Sequence, residues 1–175
     1  MSHISTGVEY ALHCLLYLAE PPHGVREASV RDLAELQGVP AEYVAKLFTK
    51  LHKAGLVVAT EGARGGFALA RPSREISVLD VVDAIDGDKP LFDCREIRAR
   101  CAVFGEDTPP PWATSGVCAV HAVMKNAEKR MREALAADRI SDLAGRMHAK
   151  APRTFAPQVV KWLDERTNQR RPSKG

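Results

Sequence analysis

Three cysteines and a histidine are the side chains of this 175-residue chain best suited to chemistry: Cys94, Cys101 and Cys118, with His121 three positions after the last. Thiolates are the usual ligands of iron–sulfur clusters, thiolate with imidazole suits zinc equally well, and a free thiol can be oxidised to a sulfenic acid or a disulfide. The fourth cysteine, Cys14, lies among apolar residues at helical spacing and reads as a small buried hydrophobe. Glu9 and His13 interrupt the N-terminal apolar stretch, which also lacks the basic region of a signal peptide. No apolar run approaches the roughly 20 residues of a membrane span. The chain is therefore read as cytoplasmic, with no membrane partner. Reducing conditions there disfavour structural disulfides and leave metal binding or redox chemistry for the thiols. No His-Glu-x-x-His, Cys-x-x-Cys or nucleophile-elbow pattern is present, so the chain is not read as an enzyme.

The elements that must position these residues follow from periodicity. Val8, Leu12, Leu15, Leu16 and Ala19 recur at helical spacing after Ser5, and Pro21-Pro22 stops that first helix. Ser29 can cap a helix over Val30–Leu36, Gly38 supplies a tight turn, and a second helix runs over Ala41–Ala54 with Val44, Leu47, Phe48 and Leu51 as its apolar stripe. Two strands, Leu56–Ala59 and Phe67–Ala70, flank a glycine-rich turn over residues 61–66. Ser77 caps a short helix, Val78–Ile85, ending at Gly87. Residues 88–116 read as irregular, and a long helix from Val117 to Ala137 carries Val120, Met124, Ala127, Met131 and Ala134 four and three residues apart, a coiled-coil-like seam. The fold class is thus mainly α with a small β wing: a winged helix-turn-helix over 1–87, a cysteine-bearing linker over 88–116, a dimerisation helix and C-terminal helical segment over 117–165, and a disordered tail over 166–175.

Charge points to double-stranded DNA. The chain's formal excess is only +3, but between Tyr43 and Arg74 six bases stand against Glu61 alone, a local excess of +5. In a helix-turn-helix the second helix enters the major groove and the wing grips the backbone. Ala41, Glu42, Tyr43 and Lys46, on its leading turns, are the candidates for base edges; Lys50 and Lys53 suit phosphates, and Arg64 sits between glycines at the wing tip. With the seam, this predicts a homodimer on a near-palindromic operator.

Four stretches resemble the Rrf-two family of bacterial regulators: Gly7 to Cys14, Val39–Leu56 with Tyr43 and Leu47-Phe48, the wing from Arg64 to Arg71, and Ile76 to Gly87. With the later cysteines they cover roughly residues 4–137. The resemblance implies a homodimer joined through the long helix, often bearing an iron–sulfur cluster. Of the readings open to the thiols, a [2Fe-2S] centre suits a regulator sensing redox state, nitric oxide or cluster supply. In the family pattern three cysteines precede a histidine, which Cys94, Cys101, Cys118 and His121 match in kind. Sixteen residues separate Cys101 from Cys118, where the family has short, even intervals. The chain also resembles the RsrR branch, which uses two cysteines, a histidine and an early glutamate. Glu9 matches that glutamate, as a ligand from the partner subunit, while Gln37 stands in the histidine's place. Cys94 and Cys118 are thus the leading ligands, with His121, Cys101 and Glu9 as candidates to complete the site. The competing expectation is a metal-free cysteine-thiol sensor of the same fold.

Overall fold

The structure, a computed structural model, describes residues 3–19, 24–60, 65–104 and 109–169. In chain order its elements are α1 (Thr6–Tyr17), α2 (Val30–Gln37), α3 (Ala41–Lys53), β1 (Val57–Thr60), β2 (Gly66–Leu69), α4 (Val78–Asp86), α5 (Pro111–Thr114), α6 (Ala119–Ala137), α7 (Ile140–Lys150) and α8 (Phe155–Gln169). Two compact units result, one of Met1–Asp88 with Leu135–Gly175 and the other of Lys89–Ala134.

The first unit is a winged helix-turn-helix closed by the C-terminal helices. The Ser29 hydroxyl accepts the Asp32 N–H at 3.1 Å and opens α2. Gly38 then takes a left-handed turn (φ 66°) that a β-carbon would strain. The stripe on α3 behaves as its spacing predicts: Val44, Leu47, Phe48 and Leu51 are all buried. Strands β1 and β2 pair antiparallel, Val57 opposite Leu69 and Thr60 opposite Gly66. Each strand is displaced by one residue from expectation; Leu56, ahead of β1, closes the end of α3, its N–H bonding the Leu51 carbonyl (3.0 Å) and its side chain buried, while its own carbonyl accepts the Ala70 N–H (3.0 Å). Ala28 bridges to β2 as well, exchanging both backbone bonds with Phe67 (3.1 and 2.9 Å). That approach is why residue 66 is glycine, since a β-carbon there would lie 2.4 Å from the Ala28 carbonyl oxygen.

Helix α4 is fastened at both ends. Ser77 and Asp80 form a capping box, with bonds of 3.0 and 2.8 Å, and Asp80 also pairs with Arg71 at 3.2 Å. At the other end the Asp86 carboxylate accepts both the N–H and the hydroxyl of Ser5, at 2.8 and 2.6 Å, tying α4 to the start of α1. Because Ser77 is buried, Ser77→Ala is expected to cost about 1 kcal/mol. A denaturant midpoint equal to the parent's would show that the box adds nothing to stability.

Segments 76–78 and 138–140 clasp each other through Val78 N–H to Asp138 (2.9 Å) and Ile140 N–H to Ile76 (3.0 Å). Ile140 and Ala144 of α7, and Val159 and Leu163 of α8, then join the same core. On α8, Arg166 pairs with Glu35 of α2 and lies 4.1 Å over the Trp162 ring. The expected tail is helical as far as Gln169, and residues 170–175 lie outside the described residues.

In the second unit, the stretch expected to be irregular contains 3-10 turns at Ile97–Arg100 and Ala102–Phe104 as well as α5. No residue of α6 is buried in the single chain; Val120 and Val123 are 57% and 67% exposed. Helix α6 starts at Ala119 rather than Val117, and ahead of it the carbonyls of residues 114–116 are turned toward Arg98, at 3.2–3.3 Å.

Candidate nucleic-acid interface and cysteine centre

Burial of the α3 stripe leaves Ala41, Glu42, Tyr43, Lys46, Lys50 and Lys53 exposed. Their surroundings differ. Tyr43 meets Tyr10 of α1 edge-on, with ring centroids 5.8 Å apart, so part of its ring serves packing. The Lys50 ammonium donates to the Ile85 carbonyl at 2.6 Å, near the C-terminus of α4, where a cation also offsets the helix dipole. Arg71 is held by Asp80 and Arg74 by Glu75. Lys46 and Lys53 make no ion pair or hydrogen bond among the described residues. Arg64 lies outside the described residues. The base of the wing is set from α3: Phe48 packs on Phe67 at 5.2 Å, and the His52 ring bonds the Val57 carbonyl at 3.0 Å.

The candidate cysteine residues of the later loop lie within residues 89–134. Cys94 and Cys118 are half-buried, and Cys101 is exposed. The Cys118 carbonyl accepts the Ala122 N–H at 2.8 Å, so Cys118 immediately precedes α6 and His121 lies on its first turn. Phe92 meets the His121 ring edge-on at 6.3 Å, which brings the start of the loop to that turn.

The same loop carries a charged pair absent from the expected site, Glu96 and Arg98. The guanidinium donates to both Glu96 oxygens, at 2.5 and 2.8 Å. That bond, before all else, raises the Arg98 pKa, and the Cys118 and Cys94 sulfurs add to the effect. The same bond lowers the Glu96 pKa, with a smaller contribution from His121. Arg98 thus feels both thiols, and Glu96 feels the imidazole. Nothing in the spacing of Glu96 and Arg98 marks them among the alternating charges from Asp93 to Arg100.

The donor types fit an iron–sulfur cluster or zinc, yet among the described residues no three His, Cys, Asp or Glu side chains are gathered as a metal site would require. Cys101 does not join the pair in such a group, and Glu9 is exposed on α1. Cys14, by contrast, is fully buried in the core, and burial pushes its thiol up to about 12. It stays protonated, as expected of a packing residue.

Residues 4–146 match the family model Rrf2, described as an iron-dependent transcriptional regulator. A Mycobacterium tuberculosis protein, Rv1287, named as an HTH-type transcriptional regulator, is 32% identical over 142 residues, 81% of each chain. Among solved structures, T. potens IscR superposes with a TM-score of 0.62 at 26% identity, covering 86% of this chain and 93% of its own. The oxidized form of Staphylococcus aureus CymR shares the fold, with a TM-score of 0.58 at 23% identity, covering 82% and 96%. No helix among the described residues is long and apolar enough to cross a membrane. With a winged helix-turn-helix, an exposed basic helix and this match over most of its length, the chain belongs to the Rrf2 family of transcription regulators, which are not enzymes.

Proposed function

We propose that this regulator acts in the cytoplasm as a homodimer on a near-palindromic operator, and that a [2Fe-2S] cluster bound at the cysteine loop controls its DNA affinity. The observation that carries the reading is the Arg98 fork, which joins Glu96, two residues after Cys94, to the carbonyls of residues 114–116, just before Cys118 and the first turn of α6 that bears His121. Cys94 and Cys118 would hold the group, with His121, Cys101 or the partner subunit's Glu9 completing the set. A bound cluster supplies a centre whose charge changes on redox or on loss. The protein's own part is to hold the thiols half-buried on the loop that leads into α6. Ultraviolet–visible spectroscopy of anaerobically purified protein tests this: visible charge-transfer bands are expected, and a colourless, iron-free dimer would sink it.

A second reading is favoured by the absence of a third gathered ligand among the described residues. Cys94 and Cys118 would then act as a metal-free thiol pair. Oxidation by hydrogen peroxide forms the disulfide, with two electrons and two protons passing from the thiols to the peroxide, which leaves as two waters. The colourless dimer is that reading's expected result.

The DNA face is expected on α3 and the wing. Lys53→Ala or Arg64→Ala should each weaken operator binding and reduce the salt slope by about 0.9, as one phosphate contact contributes. Lys50 is the less suitable probe, since its ammonium already serves α4. Binding isotherms across salt that coincide with the parent's for both variants would move the phosphate contacts elsewhere.

A further inference from the structure

We propose that Arg98 is the positioning residue of the cysteine loop: its guanidinium pins backbone 114–116 to the turn after Cys94, holding the Cys94 and Cys118 thiols together before any cluster is bound. The inference rests on Cys94 and Cys118 being the working pair of the proposed function. The guanidinium grips Glu96 through two bonds and donates to the carbonyls of Thr114, Ser115 and Gly116 at 3.3, 3.3 and 3.2 Å. Those carbonyls lie two to four residues before Cys118, and Glu96 lies two residues after Cys94. One side chain thus spans the loop between the two thiols.

The local backbone is shaped for this grip. Glu96 is the only non-glycine residue with positive φ among the described residues (φ 45°, ψ 56°), a conformation that persists only when its surroundings impose it. The left-handed turn lets both Glu96 oxygens face the guanidinium two residues on. Arg98 itself is only 24% exposed, less than a surface ion pair usually is. The planar fork is essential to this role: an ammonium carries the charge but cannot serve a carboxylate side-on and three carbonyls at once.

The test uses the full-length chain carrying Cys14→Ala and Cys101→Ser, reduced and metal-free, so that Cys94 and Cys118 are the remaining thiols. Dibromobimane, which fluoresces on bridging two thiols, reports their proximity. Bridging is expected to be about ten-fold slower in Arg98→Ala, as the loss of several charge-assisted bonds implies, and nearly as slow in Arg98→Lys. Single-thiol labelling by monobromobimane and the far-ultraviolet circular dichroism should stay close to the parent's. Unchanged bridging in Arg98→Ala, parent-like bridging in Arg98→Lys, or a parent that does not bridge each overturns the proposal. If bridging depends on Arg98 as expected while unmodified protein forms no chromophore on anaerobic reconstitution, the positioning role stands and the cluster reading falls.

Discussion

Serine at Cys94 or at Cys118 is expected to abolish the visible chromophore of anaerobically reconstituted protein and to uncouple DNA affinity from oxidation. A cluster needs thiolate sulfur, and a serine hydroxyl at the same place is a far poorer ligand. Alanine at Cys14 serves as the control: that thiol is buried in the core with its pKa near 12, so it is no ligand at neutral pH. The remaining ligands separate by variant. Loss of the chromophore in Cys101→Ser would require the exposed Cys101 to move to the pair. Loss in Glu9→Ala, with Cys101→Ser and His121→Ala both retaining it, assigns the site to the partner subunit's carboxylate instead. Parent-like iron content and DNA binding in both Cys94→Ser and Cys118→Ser would remove the cluster from the account and leave the winged-helix regulator.

Met131→Glu, or Met124→Glu, is expected to convert the dimer into monomer or unfolded chain. Helix α6 has 19 residues and buries none in the single chain, although Val120, Met124, Ala127, Met131 and Ala134 run along it at heptad spacing. Helices in proteins draw most of their stability from packing an apolar face, and although Leu135 near the end of α6 packs against the core, the seam is expected to find its packing in a second copy. A carboxylate placed in that seam would be desolvated without a partner, at a cost on the order of several kcal/mol. Sedimentation velocity on the parent and on each variant measures the outcome. A dimer of parental strength in both variants would place the interface on another surface.

Much of the DNA-binding unit was legible in the chain because its signals are local. Apolar residues three and four positions apart mark the buried stripe of α3, and Ser29 and Ser77 stand where a hydroxyl caps a helix. The cysteine loop was less legible. Residues 88–116 lack periodicity, so the 3-10 turns and α5 left no pattern to read, and the Glu96–Arg98 pair looked like any exposed charges. The bases were legible as a group and not as individuals. A run of cations signals a positive surface, whereas the turning of Lys50 toward the Ile85 carbonyl depends on where α4 ends.

Sequence by itself determined the order of helix, turn, helix and wing, the apolar faces that build the core, and which donor atoms the later loop offers. These follow from periods of two and of 3.6 residues and from side-chain chemistry, both of which act over a few positions. Only the tertiary structure decided which basic side chains are engaged within the fold, that α7 and α8 close onto the winged-helix core, and that Arg98 joins the turn after Cys94 to the backbone before Cys118. Those outcomes join residues far apart in the chain, such as Ser5 with Asp86, Lys50 with Ile85, Glu35 with Arg166 and Arg98 with Thr114. Each depends on where packing brings a backbone carbonyl or a carboxylate within hydrogen-bond reach, a distance that local spacing does not encode.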